Sequence, residues 1–407
     1  MTPPSSDEPS AYFRKGFGLK AEVQDELSAD YDGQLVDRLR ADNYTLTVGD
    51  VTIRLAREFG FCYGVERAVE YAYQARRKFP DRKVYLVGEI IHNPMVNARL
   101  TEMGVEILRR QDPTEAFDFR RIRAEDVVIL PAFGVTMADF SALRAIGCVV
   151  VDTTCGSVLN VWKRVESYAR DGFTALIHGK YYHEETRATA SQVGKYPDGH
   201  YLIVRNMAEA RLVCDFIEGR LTAGELMTTF ARAVSPGFDP ERHLQRIGVA
   251  NQTTMLARES LEIAEAVGAA IARARGAEAR ASSFRSFDTI CSATQERQDA
   301  VQELLDEGVD VMVVIGGFNS SNTISLAALC ASRVPTYHIE TSEAIDPESG
   351  TVHYRLAQVH HAEADATGWL PPGPVRVGVT AGASTPNNKI GDVVVRILAT
   401  RGLRAEV

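Results

Sequence analysis

From Val51 onward the chain alternates short apolar runs with longer stretches whose apolar residues recur at helical spacing. That alternation predicts an α/β protein with parallel sheets. The runs predicted as strands are VTIRLA, KVYLVGEI, DVVILP, CVVVDTT, TALIHG, HYLIV, RIGVAN, VDVMVVIGG, VPTYHIE and VRVGVTAG. Several of them read as continuous apolar runs, which predicts burial on both faces of a sheet. Segments such as VERAVEYAYQARR and SVLNVWKRVESYA predict amphipathic helices that cover those faces. Before Val51 the text differs. A polar start, MTPPSSDEPS, gives way to RKGFGLK and to short helical stretches such as GQLVDRLRADNY, which together read as a leading arm. Residues 218–246 are more polar and helical, and read as an insertion.

A chain of 407 residues is too long for one ordinary core, so two or three α/β lobes are expected. The formal net charge of −9 weighs against nucleic acid as the main partner. It leaves room for a small anionic ligand, which a few local donors can hold. No run of about 20 apolar residues occurs that would span a bilayer. The N-terminus has neither the apolar core of a secretion signal nor the Arg-rich character of a transit peptide, so a cytoplasmic location is expected. There thiols stay reduced, and the six cysteines are better read as ligands, nucleophiles or core residues than as disulfides.

Three of these cysteines share a setting. Cys62 follows VTIRLAREFGF, Cys155 follows CVVVDTT and Cys291 follows FRSFDTI, and each stands just before an amphipathic helix. Ligands of open α/β sheets bind at such strand-to-helix junctions, and a helix N-terminus favours a thiolate. The other three, Cys148, Cys214 and Cys330, sit among apolar neighbours and read as core. Three unrelated loop residues is the plain reading of Cys62, Cys155 and Cys291. A zinc site is disfavoured because no CxxC pair is present. An iron–sulfur cluster fits better, since its thiolates can come from distant parts of a chain. Three ligands would leave one iron of a cubane open to chemistry.

Other strand ends carry polar clusters: His92-Asn93-Pro94, Lys180 to Thr186, Asn251 to Thr254, Asn319-Ser320-Ser321-Asn322, and Ala383 to Pro386. A Gly-Gly turn followed by Asn-Ser-Ser-Asn suits an anion, because short donors join the unpaired N–H groups of a helix start. Ordinary N-capping is the plainer reading of any one cluster. His92 and His183 stand at these junctions and His178 less directly. His200, His243, His338, His353, His360 and His361 have no supporting context. Glu185, two residues beyond His183, is a candidate proton carrier.

The stretches GFCYGVERA, GEIIHNPMVN, DTTCGSVLNVWKRV, HGKYYHEETRATAS, NQTTM, DTICSATQERQ, GGFNSSNT and VTAGASTP resemble, in order, those of 4-hydroxy-3-methylbut-2-enyl diphosphate reductases, the IspH/LytB family. RKGFG, HGKYYHEET and the inserted segment resemble its longer branch in plants and cyanobacteria. The resemblance implies three α/β lobes in a pseudo-threefold arrangement around a central 4Fe–4S cluster held by Cys62, Cys155 and Cys291. It implies reductive dehydroxylation of the allylic diphosphate to isopentenyl and dimethylallyl diphosphate, with the substrate hydroxyl on the apical iron. Glu185 then falls on the proton-delivering carboxylate and Thr253 beside the substrate hydroxyl. His92, His183, Ser320, Ser321, Asn322 and Ser384 fall on diphosphate or substrate contacts. A ferredoxin or flavodoxin is implied as electron donor.

With the sequence pattern this sets expected boundaries: an arm over 1–50, lobes over 51–155, 156–290 and 291–374, and a strand and helix over 375–407 that complete the assembly. One departure stands out. The shorter branch has a histidine in a Ser-Ala-His-Gly motif where this chain reads Pro131-Ala132-Phe133-Gly134, and Phe133 has no hydrogen bond to give a phosphate. A neighbouring donor such as Lys180 is a candidate replacement. Two other classes make contrasting demands. A non-enzymatic iron–sulfur redox sensor would need the three cysteines but not Glu185, Thr253 or the Asn-Ser-Ser-Asn loop. A cluster-free phosphate-ester enzyme would need the anion loops but not the matched cysteines.

Overall fold

Every apolar run predicted as a strand forms one in the structure, a computed structural model that describes residues 12–112, 115–357 and 362–405. MTPPSSDEPS, His360 and His361 lie outside the described residues. The strands make three sheets. The strands Val84–Val87, Val127–Leu130, Thr174–His178, Ile247–Asn251 and Val311–Ile315 are buried at every position, the behaviour expected of strands covered on both faces.

The chain divides into two compact units. The first comprises Tyr71–Ile90, Arg99–Ile290 and the described part of the N-terminal segment through Leu19. It holds two parallel sheets. One runs Tyr12–Phe13, Val149–Asp152, Val127–Leu130, Val84–Val87 and Val105–Leu108. The other runs Phe284–Ser286, Ile247–Asn251, Thr174–His178 and Tyr201–Val204. In the second sheet His178 pairs with Asn251, so the loops after both strands leave the same edge side by side. Within the predicted insertion lie the helices Ala223–Phe230 and Pro240–His243. The first starts on a capping box between Thr222 and Glu225.

The second unit comprises Lys20–Glu70, Ile91–Ala98 and the chain from Cys291 onward. Its sheet has a parallel centre, Thr336–Ile339, Val311–Ile315, Val375–Ala381 and Val51–Leu55. Antiparallel strands flank it, among them Thr45–Val48 and Thr351–Arg355. The alternation of a strand is plain at its middle. Val311, Val313 and Ile315 pack into one apolar cluster, Met312 and Val314 into another. Ile315 pairs with Ala381 and Leu55 with Val379, so the loops that follow these strands emerge at one edge. That edge carries Cys62, the Gly-Gly turn and Ser384. In the arm, the helical stretch predicted from GQLVDRLRADNY forms Gln34–Ala41.

Candidate active site

Cysteines sort by burial as their neighbours predict. Cys148, Cys214 and Cys330 are buried, and desolvation pushes their thiols up, Cys330 to about 12. Such thiols are inert packing. Cys62, Cys155 and Cys291 are all partly exposed. Cys155 and Cys291 are the cap residues of the helices Gly156–Arg170 and Ser292–Asp306, and Cys62 directly precedes Tyr63–Lys78.

The backbone around each is tied down. Cys155 donates its N–H to Ala132 (2.9 Å), after Asp152 has accepted from the Thr154 N–H (2.9 Å). In the second unit Ala56, Gly60 and Cys62 donate in turn to Val379, Ala381 and Ala383, so the cysteine loop is zipped along the strand beside it. Cys291 Sγ accepts the Thr294 N–H at 3.3 Å. The sulfur thus stands at the positive end of its helix.

At the same edge of the second unit the structure brings His92, Ser320, Ser321, Asn322 and Ser384 together, each at most 8% exposed. Gly316 and Gly317 end the strand Val311–Ile315, and Ser320 caps Ser321–Ala331 by accepting the Thr323 N–H. A Cβ on Gly317 would stand 2.7 Å from the His92 carbonyl oxygen, so only glycine lets the two loops meet. Ser384 donates its hydroxyl to that same carbonyl (3.1 Å), and Asn93 donates its amide to Ser384 O (2.8 Å). Asn322 accepts the Ala383 N–H (2.9 Å), while its Nδ2 is buried without a partner. A buried amide donor beside a helix N-terminus is an incomplete hydrogen-bond set that an anion would complete.

His92 Nδ1 faces the Asn319 side-chain amide at 3.2 Å. An amide nitrogen only donates, so the neutral ring keeps its proton on Nε2 and presents that nitrogen as a donor. Asn93 caps the helix Pro94–Glu102 through the N–H groups of Met95 and Val96. Asn319 and Asn93 are thus the residues that orient the loop. Their signal in the sequence was only membership of polar clusters.

The first unit holds the candidate proton carrier, Glu185. Glu185 is 2% exposed in the first turn of Glu184–Ala190. Its two oxygens accept the backbone N–H (2.6 Å) and the hydroxyl (3.0 Å) of Thr253. His183 caps this helix, with Nδ1 accepting the Glu185 N–H at 3.1 Å. That again leaves Nε2 as the protonated nitrogen of the neutral ring. Gln252 ties the two loops together, accepting from Lys180 N (3.2 Å) and the Thr186 hydroxyl (2.9 Å). Phe133 meets the His183 ring edge-on at 5.9 Å. It gives the imidazole an apolar wall and offers no hydrogen bond.

His178 is not part of this chemistry. It is fully buried, its Nδ1 is 2.8 Å from the Ser260 hydroxyl, and burial pulls it down to about 4. His338 is likewise buried and held down at about 4, with Nε2 donating to Gly316 O. No helix among the described residues is long and apolar enough to cross a membrane.

The sequence model of the LytB protein family matches residues 53–398. A protein of Thermosynechococcus vestitus named 4-hydroxy-3-methylbut-2-enyl diphosphate reductase is 46% identical over 393 residues, which cover 96% of this chain and 95% of that protein. One of the same name from a Nostoc species is 47% identical over 97% of this chain and 96% of its own length. Among solved structures, that of (E)-4-hydroxy-3-methyl-but-2-enyl diphosphate reductase, the terminal enzyme of the non-mevalonate pathway, aligns with 85% of this chain and 98% of its own at 29% identity and a TM-score of 0.51. The corresponding reductase of Plasmodium falciparum, 20% identical with a TM-score of 0.61, shares the fold. Matched by the family model over most of its length and by near full-length relatives, the chain belongs to the LytB family.

Proposed function

We infer that this chain catalyses the reductive dehydroxylation of 4-hydroxy-3-methylbut-2-enyl diphosphate to isopentenyl and dimethylallyl diphosphate, the last step of the methylerythritol phosphate route to isoprenoids. The reaction consumes two electrons and two protons. One proton leaves with the hydroxyl as water and the other ends on carbon. The observation that carries this reading is the Glu185–Thr253 pair, a buried carboxylate bonded to a hydroxyl, in a chain that also has a donor-rich pocket built for an anion.

Cys62, Cys155 and Cys291 are the residues that would hold a 4Fe–4S cluster. They are the cysteines that stay out of the core, and Cys291 Sγ already accepts an N–H at its helix start. When bound, the cluster would supply the electrons and, through an iron without a protein ligand, a seat for the substrate's hydroxyl. By the expected bounds, the lobe over 51–155 carries Cys62 and, at its last residue, Cys155, and the lobe over 291–374 begins on Cys291.

The remaining work falls to side chains. The N–H of Asn322 Nδ2, the hydroxyls of Ser320, Ser321 and Ser384 and the positive end of the helix Ser321–Ala331 bind the diphosphate. His92 and His183 donate from Nε2, each held in that tautomer by a hydrogen bond at Nδ1. Thr253 orients the substrate hydroxyl, and Glu185 holds and passes the proton through it. Burial keeps this proton path from bulk water. A small acidic electron carrier such as a ferredoxin or flavodoxin delivers the electrons, and the enzyme works in the cytoplasm.

The test is anaerobic turnover with reduced viologen on protein whose iron and sulfide have been counted. Substrate consumption by protein holding about four irons per chain is expected. Full iron loading without turnover would overturn the assignment.

A further inference from the structure

Arg297 lies in the second turn of the helix Ser292–Asp306 that Cys291 caps, and it is 3% exposed. Its Nη1 donates to Ala293 O at 2.8 Å and its Nη2 to Gly60 O at 2.7 Å, while Nε is buried without a partner. Both acceptors are neutral carbonyls. Among the described residues no carboxylate pairs with it. A guanidinium cannot shed its proton, so this is a full positive charge taken out of water with nothing opposite it. The nearly buried Arg110, by contrast, has Glu184 at 3.5 Å.

Position tells which anion answers the charge. Ala293 comes two residues after Cys291, and Gly60 two residues before Cys62. One planar fork therefore spans the two segments that carry these thiols, and its unused Nε–H is a donor in reserve. Nothing in the sequence separates Arg297 from a solvated helix arginine; its burial does. A group of thiolates and iron held there is negative, and it gains one more negative charge when reduced.

We propose that Arg297 is the charge partner and positioning residue of the iron–sulfur group. It fixes the Cys62 and Cys291 loops to each other and stabilises the group most in its reduced state, which raises its reduction potential. The inference rests on the cluster-bearing reading of the three cysteines given above.

Two variants of the full chain, reconstituted anaerobically with iron counted, test it. Arg297→Gln keeps a donor and drops the charge; Arg297→Lys keeps the charge and loses the two-pronged span. The readouts are the midpoint potential of the loaded protein and the melting temperature with and without iron. Arg297→Gln is expected to shift the one-electron reduction equilibrium about tenfold toward the oxidised state, about 59 mV lower. Arg297→Lys is expected to keep most of the wild-type potential. Without iron, Arg297→Gln should melt no lower than wild type, because an uncompensated buried charge is gone, and its gain on loading should shrink. A potential unmoved in Arg297→Gln overturns the proposal. So does an iron-free Arg297→Gln protein that melts well below wild type, since a merely structural arginine would behave that way. If Arg297→Gln holds no iron, Arg297→Lys decides alone, and a reduction equilibrium shifted about tenfold toward the oxidised state, about 59 mV below wild type, would overturn the charge role. Wild-type protein that takes up no iron overturns the functional reading itself and this inference with it.

Discussion

Glu185 and Thr253 show how little a single substitution needs to change. In Glu185→Gln the amide keeps its size and one acceptor oxygen but can no longer hold and release a proton. Turnover should fall by about 100-fold or more, with iron content and substrate affinity close to wild type. Undiminished turnover would remove Glu185 from proton transfer. Asn322 offers a complementary case. Asn322→Asp keeps the acceptor for the Ala383 N–H but replaces the unpartnered donor with a negative charge. Melting should hardly change, while KM for the diphosphate should rise about tenfold or more, the loss of one charge-assisted contact. An unchanged KM would place the diphosphate elsewhere. Most of these residues were legible in the sequence because the chemistry sits in short contiguous motifs at strand ends. Asn319 and Asn93 were not singled out, because orienting a histidine ring or a loop is a matter of tertiary contact that no local pattern records. Phe133 was legible as a missing donor, but its edge-on contact with His183 was not.

At the scale of elements, the glycine turn after Val311–Ile315 sets the geometry of the proposed anion pocket. Gly316 has φ 145°, and a Cβ there would come 2.6 Å from Thr323 Oγ1. Gly317 has a neighbour on the other side, the His92 carbonyl. Backbone cannot retreat as a flexible side-chain end can. Gly317→Ala should therefore push the His92 loop away from the Ser384 hydroxyl and raise KM about tenfold, while Glu185-dependent chemistry is retained at saturating substrate. A KM equal to wild type would show that the two loops tolerate separation. Elements buried on both faces were the readable ones, since each reads as an unbroken apolar run. Tyr12–Phe13, at two residues, is too short to show a period. Glu363–Thr367, with a burial pattern alternating between exposed and half-buried positions, is a flank strand fixed by pairing with Thr351–Arg355 and has no apolar run of its own. Pairing order is equally silent in the local pattern. That Val51–Leu55 lies beside Val375–Ala381, at the far end of the chain, follows from packing alone.

Across the whole molecule, buried histidines set the response to acid. His178 in the first unit and His338 in the second are both fully buried, and desolvation holds each at about 4 against an ordinary value of 6.5. In the unfolded chain both protonate near 6.5. Between 6.5 and about 4 the unfolded state thus binds more protons than the folded one, and stability falls as pH falls through that window. Each histidine accounts for a loss of about 3 kcal/mol across it. Burial also lowers His200 and His243, which stack on one another at 3.6 Å, and they act in the same direction. His353 is raised by its hydrogen bonds to Asp365 and then Glu363, the opposite sign, but it is exposed and solvent screens the effect. The net expectation is a steep acid limb that begins near pH 6.5, well above the range where carboxylates titrate. Denaturant unfolding at fixed ionic strength from pH 7.5 to 4.5 would measure it. His338→Gln keeps a donor for the Gly316 carbonyl and removes the titrating ring, so its limb should be shallower by about 3 kcal/mol over the window, provided its stability at pH 7.5 is close to wild type. A limb of the same slope in that variant would mean that water reaches His338 in the folded state and that carboxylates, not buried imidazoles, govern acid unfolding.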